Sequence, residues 1–236
     1  MKKLMRIEKY LSNYHGISRT NTKKLIRKKM VSVNNIIIKS SIDIDIEKDN
    51  IKIQDFEFEQ VRDKYIYILL NKPLGYVCAN KDSKYPTVFQ LLDPELQYIK
   101  NLHTVGRLDI DTEGVLIITN DGNLTHELTS PKYHVLKIYY VEVDNEIPYE
   151  LIAEFAKGIK LQDFTTKPAL LQLLEFDKAL LTISEGKFHQ VKRMFAHFNL
   201  NVTYLNRVKF GDISAKGLIE GEYKLIDKKD ILKNLE

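Results

Sequence analysis

A chain of 236 residues, 44% of them hydrophobic and 29% charged, can bury one large or two unequal cores and is not a chain disordered throughout. Its single cysteine, Cys78, excludes an internal disulfide and a cysteine-rich metal site, and suits a reducing cytoplasm. No run approaches the roughly 20 apolar residues that span a bilayer, and the opening MKKLMRIEKYL lacks the apolar stretch of a secretory leader, so no membrane partner is expected.

The net charge of +4 is unevenly spread: residues 1–30 hold ten basic side chains against Glu8 alone, a local +9 that leaves −5 on the rest. A cationic end on a mildly acidic body points to a polyanionic partner. Within that end, Ile7, Tyr10, Leu11 and Tyr14 recur at helical spacing, His15-Gly16 stops the helix, and Ser18 can cap a second one. In the second helix Arg19, Lys23 and Arg27 form one stripe with Lys24 and Lys28 beside it, while Leu25 and Ile26 face away. Arg6 and Lys9 add to the same basic region. Val31-Ser32-Val33 reads as a short strand turned by Asn34-Asn35, residues that tolerate the left-handed region.

Residues 54–64, QDFEFEQVRDK, are mostly polar and read as a linker. Beyond them YIYILLN is a buried strand ended by Asn71-Lys72-Pro73 and Gly75, and Thr87 can cap a short helix over VFQLL. VLIIT at 115–119 is a second buried strand, closed by Asn120-Asp121-Gly122. KIYYVEV at 137–143 and LLTIS at 180–184 are further strands, with Lys137, Tyr139, Val141 and Val143 on one face of the first. FHQVKRMFAHF at 188–198 reads as a helix with Phe188, Val191, Phe195 and Phe198 on one stripe. Strands outnumber helices in irregular order, which predicts an α+β fold around a mixed, mainly antiparallel sheet.

The stretch Gly106-Arg107-Leu108-Asp109-Ile110-Asp111-Thr112-Glu113-Gly114 concentrates the chemistry. As an EF-hand it fails at its twelfth position, Asn120, and runs into a β-rich segment where a helix is required. As an aspartyl-phosphate site it is inverted, because the apolar strand follows the aspartate. GRLDIDTEGVLIITNDG resembles the signature of the pseudouridine synthases of the small-subunit rRNA type, the RsuA family. LLNKPLGYVC, SPKYHVLKIYYVEV and ISEGKFHQVKRMF agree with it in family order, and lysine before arginine in the last resembles the 16S rather than the 23S branches. RIEKYLSNYHGISRTNTKKLIRKKMVSVNN is similar to an S4 RNA-binding domain.

The resemblance implies an S4-like domain over 1–58 with a linker to about 64, and a catalytic domain over 65–236. It implies that Arg6, Lys9, Arg19, Lys23, Lys24, Arg27 and Lys28 follow RNA phosphates. It assigns Asp109 as the catalytic carboxylate, Lys192 as the cation that keeps it ionised, and Tyr139 as the ring over the uracil. Arg107 is a second cation, holding the loop or a phosphate. His189 and Gln190 are read as structural or RNA-facing, and Asp111 and Glu113 as loop-shaping residues. The implied reaction is a 16S rRNA pseudouridine(516) synthase type of isomerisation. It moves no electrons, phosphate or outside group, so neither cofactor nor metal is expected. The expected partner is 16S rRNA within an assembling small subunit, and a monomer is expected. A 23S rRNA synthase and a catalytically silent assembly factor are the alternatives.

Overall fold

The computed structural model describes residues 4–15, 17–46, 48–54, 56–58, 65–97, 99–130 and 132–232. The chain divides into two compact units, Met1–Lys64 and Tyr65–Glu236. Among the described residues no helix is long and apolar enough to cross a membrane.

In the first unit β1 (Leu4–Arg6) leads into α1 (Ile7–Tyr14) and α2 (Arg19–Arg27). Ser18 caps α2 by accepting from the Asn21 amide at 3.2 Å, satisfying one of the donors that a helix start leaves unpaired. β2 (Val31–Val33) and β3 (Ile36–Ile37) form a hairpin turned by Asn34 and Asn35, both at positive φ, the backbone twist that a two-residue hairpin loop needs. β4 (Asp43–Asp45) pairs with β1, and β5 (Ile51–Ile53) pairs with β2. Ile7, Tyr10 and Leu11 of α1, Ile26 of α2, and Val31, Ile44 and Ile51 bury one core. Sinking the apolar stripe of α2 leaves Arg19, Lys23, Lys24 and Arg27 exposed, with Lys28 at the C-cap exposed beside them.

The polar stretch read as a linker is structured in part. Phe56–Phe58 is a strand, β6, antiparallel to β5. The alternation Phe-Glu-Phe has the two-residue period of a strand despite the surrounding charge. Residues 59–64 lie outside the described ones.

The second unit carries a sheet ordered β11-β12-β10-β13-β9-β7-β14. In chain order its elements begin with β7 (Tyr67–Lys72), a 3-10 turn (Val88–Leu91), α3 (Pro94–Gln97) and β8 (His103–Thr104). Then come β9 (Glu113–Thr119), α4 (Gly122–Thr129), β10 (Lys137–Val143) and α5 (Leu151–Lys157). β11 (Leu170–Glu175), β12 (Lys178–Ile183), α6 (Gln190–Ala196), β13 (Val202–Phe210), β14 (Tyr223–Leu225) and α7 (Lys228–Leu232) complete it. β8 pairs with β9 off the main path.

The continuous apolar runs of β7 and β9 have a direct cause. Alternate residues enter two cores on opposite faces: Ile68, Leu70, Leu116 and Ile118 in one, Tyr67, Leu69, Val115 and Ile117 in the other. β10 shows the alternation of a half-covered strand, with Lys137, Tyr139, Val141 and Val143 buried between less buried neighbours. The sheet is antiparallel throughout except at one joint, where β13 runs parallel to β9 through Asn206–Glu113 and Arg207–Gly114. Gly114 sits there at φ +104°, and a Cβ on it would lie 2.3 Å from the Arg207 carbonyl oxygen. Only glycine permits this approach.

α6 is shorter than the pattern predicted. It starts at Gln190, because His189 adopts the left-handed conformation (φ 49°, ψ 29°). Val191 and Phe195 are buried as expected, Met194 is buried beside them, and Phe188 lies outside the helix and is 69% exposed. The helical stripe therefore does not extend to Phe188.

Candidate active site

The segment between β8 and β9 carries Arg107, Asp109 and Asp111 and is anchored from behind by residues 72–78. Lys72, at the end of β7, is fully buried, and its ammonium donates to the carbonyls of Thr112 at 2.8 Å and Pro73 at 3.0 Å. The Gly75 amide donates to the Ile110 carbonyl at 2.8 Å, and the Leu108 amide to Cys78 Sγ at 3.4 Å. The Thr112 amide closes a turn on the Asp109 carbonyl at 3.1 Å. Five backbone groups of the loop are thus tied down, while the Asp109 side chain lines the cavity. Burial lowers the Lys72 pKa, opposed by the charges of Cys78, Asp111, Glu113 and Asp109. Burial likewise pushes the Cys78 thiol up.

Asp109 faces a cavity of about 260 Å³ that Arg107, Tyr139 and Lys192 also line. That volume, near the lower end of small-ligand pockets, admits one base and not a folded segment of RNA. The four residues come from three separate regions of the sequence: the loop before β9, the strand β10, and the helix α6. Tyr139 is 7% exposed and pairs across the ladder with Arg207. Arg107 is exposed and makes no hydrogen bond or ion pair among the described residues. The seven basic residues assigned to RNA belong to the first unit and are all exposed; Arg6 also donates to the Ser41 carbonyl at 3.2 Å and pairs with Asp43 at 3.7 Å.

The partners of the two aspartates differ from the sequence expectation. The Lys192 ammonium meets Asp111, not Asp109. Burial acts to raise the Asp111 carboxyl, but the hydrogen bond and charge of Lys192 outweigh it and hold the group below its usual range. Asp111 therefore holds a cation at the cavity mouth, and a hydrogen bond to its own backbone amide adds to the lowering. Asp109 lies 3.5 Å from His189 Nε2. The left-handed backbone of His189 turns its imidazole this way, and Gln190 braces the turn. The Gln190 side chain is buried, accepts from the Lys187 amide at 2.9 Å and donates to Glu185 at 2.7 Å.

Sequence reasoning passed over three residues that build the site, Lys72, Lys137 and Arg207, and read a fourth, His189, as structural or RNA-facing without placing it beside Asp109. Lys137 and Arg207 are both buried in the cavity wall, and their cationic heads lie 5.3 and 4.8 Å from the centre of the Phe210 ring. Arg207 Nε donates to the Val115 carbonyl at 2.8 Å, whereas its Nη2 has no partner among the described residues. The Lys137 ammonium donates to the Val135 carbonyl at 2.6 Å. Burial, then the charge of Arg207, brings its pKa down to about 8. Two buried cations side by side are costly unless an anionic or carbonyl-rich ligand answers them. One signal was available for Lys72 and Lys137, a lysine on an otherwise buried face of a strand, since lysine is rarely buried without a partner. Nothing local marks Arg207 or His189.

Comparison with known proteins adds a lineage to this geometry. A family model described as "RNA pseudouridylate synthase" matches residues 66–197, which contain the whole Asp109 loop, β10 and α6. A Haemophilus influenzae protein named "Ribosomal small subunit pseudouridine synthase A" is 40% identical over 233 residues, covering 97% of this chain and 99% of its own. The Escherichia coli protein of the same name is 36% identical, covering 96% of this chain and 98% of its own. A solved structure described as "Crystal structure of pseudouridylate synthase" is 39% identical, with a TM-score of 0.69, and covers 98% of this chain and all of that one.

Proposed function

This chain belongs to the RNA pseudouridylate synthase family, whose members isomerise uridine in RNA, and on that premise we propose that it acts on one uridine of 16S rRNA with Asp109 as the catalytic carboxylate. The small-subunit target is supported by relatives that bear that function in their names over nearly their full length. Uridine 516 is the position that the sequence resemblance implies. The observation that carries the assignment of Asp109 is its place in a cavity that Tyr139, Lys192 and Arg107 also line, on a loop clamped by buried Lys72.

The reaction breaks the N1–C1′ bond of uridine and joins C5 to C1′; C5 gives up a proton and N1 gains one, so substrate and product are isomers. Asp109 serves either route to that end, adding to C1′ or removing a sugar proton on the way to a glycal. Both routes need the carboxylate ionised in a partly enclosed site, which requires cations nearby. Buried Lys72 behind the loop and Lys192 at the mouth supply such charges, and His189 stands beside the carboxylate at 3.5 Å. Tyr139 offers the flipped uracil an aromatic face. Arg107, exposed and uncommitted, takes a phosphate. The flip itself costs a few kcal/mol, which the basic stripe of an S4-like first unit offsets by holding the RNA. In this reading the enzyme works as a monomer in the cytoplasm and needs no cofactor.

The test is pseudouridine mapping of rRNA from cells lacking the protein, then complemented. We expect one 16S site to disappear. The parent protein and Asp111→Asn should restore it, and Asp109→Asn should not. Loss of a 23S site instead, or restoration by Asp109→Asn, refutes the reading.

A further inference from the structure

Phe188 is the residue that the catalytic reading leaves unexplained. It is a large aromatic, 69% exposed, at the rim of the cavity that holds Asp109. One face of its ring is backed by the His189 imidazole, with centroids 3.7 Å apart and planes 20° from parallel. No other ring pairs with it among the described residues. The backing is rigid: His189 is turned into the left-handed region, and the buried Gln190 side chain binds the loop to the Lys187 amide and Glu185. The far edge of His189 reaches to 3.5 Å from Asp109. Phe188 and His189 thus form a two-layer stack that runs outward from the reacting carboxylate and ends in an open aromatic face. Exposed Lys187 and Arg107 line the same rim and suit a polyanion better than an apolar peptide.

Resting on the functional reading above, we infer that Phe188 is the stacking platform for a nucleotide next to the target uridine. When the uridine leaves its stack, its neighbour loses an aromatic contact, and the open face of Phe188 replaces it. His189 continues the column inward, so seating the neighbour presses the imidazole against Asp109. An exposed aromatic is sequence-tolerant in such a role, because every base has a π-face.

The test uses the full chain and a short RNA spanning the mapped 16S uridine, with 2-aminopurine placed in turn on each side of it. Binding is measured in the Asp109→Asn background, and product formation with native Asp109 on the same RNA. At one flank we expect the 2-aminopurine to stay quenched in complexes with Phe188 and with Phe188→Tyr, and to brighten with Phe188→Leu. The leucine variant should bind about five- to 150-fold more weakly, the loss of one base–aromatic stack. Product from the parent together with equal quenching and affinity in Phe188→Leu overturns the platform and leaves the functional reading standing. No product from the parent overturns both.

Discussion

Replacing Gly114 by alanine should damage fold and turnover together, because that position closes the parallel joint beside the Asp109 loop. The added Cβ would lie 2.3 Å from the Arg207 carbonyl oxygen, 2.8 Å from its nitrogen and 2.4 Å from Asn206 Oδ1. Two of these atoms are backbone of a strand paired on its other edge to β10, so they cannot swing aside. Overpacking of this kind costs about 1–3 kcal/mol, and holding a residue with a Cβ at φ +104° costs roughly 1–3 kcal/mol more. A loss of about 2–6 kcal/mol lowers Tm by roughly 4–24 °C in a chain of this size. Because the joint consists of two residue pairs, relief of the clash moves the start of β9, and Asp109 with it. Urea unfolding followed by circular dichroism gives the stability, and single-turnover pseudouridine formation at a temperature where the variant is folded gives the activity. Gly122→Ala is the control, since its Cβ meets no atom within 4 Å. Equal midpoints for Gly114→Ala and parent, within about 0.5 kcal/mol, would refute the argument.

Lys137→Met should be more stable than the parent at pH 7, and the difference should close as pH rises. The folded-state pKa is about 8 against the usual 10.5, so below pH 8 the native state bears the full cost of a buried ammonium. Between pH 8 and 10.5 the unfolded chain binds the extra proton, and native stability rises by roughly 3 kcal/mol. Urea midpoints that differ equally at pH 7 and 10.5 would refute this. Tyr139→Phe should keep most activity and Tyr139→Leu lose far more, since only the first preserves a π-face for the base; equal turnover by two folded variants removes stacking at this position. Arg19, Lys23 and Arg27 changed together to alanine should flatten the log–log salt dependence of RNA binding by about 0.7–0.9 per lost phosphate contact, and an unchanged slope removes the stripe from the interface.

Periodicity alone made much of the fold legible. The runs ending at Leu70 and Thr119, the alternation of 137–143 and the stripe of Arg19, Lys23 and Arg27 are local patterns, and a strand or helix expresses a local pattern wherever it sits. The Asn34-Asn35 hairpin was legible for the same reason, because turn geometry depends on the residues in the turn. Phe188 was misread because the helical period continues through it on paper, while the backbone at His189 is left-handed; a histidine, unlike glycine, does not advertise that conformation. The Phe56–Phe58 strand was missed because charge density masked its alternation.

The chemistry of the site depends on something no local pattern contains, namely which distant strands lie side by side. Lys72 reaches the Thr112 carbonyl across 40 positions, and Lys192 reaches Asp111 across 81. The order β10-β13-β9-β7 sets Tyr139 opposite Arg207, brings Arg207 against Gly114, and delivers the loop before β9 to the mouth of the cavity. The sequence by itself pointed to Asp109, Lys192, Tyr139 and Arg107 through a family resemblance, and determined most of the secondary structure that carries them and the basic stripe of the first unit. The tertiary structure decided that His189 stands beside Asp109, that Lys192 answers Asp111, and that Lys137 and Arg207 share a wall. Pair contacts at ångström range follow from strand order and backbone twist, and these are settled by the packing of the whole sheet.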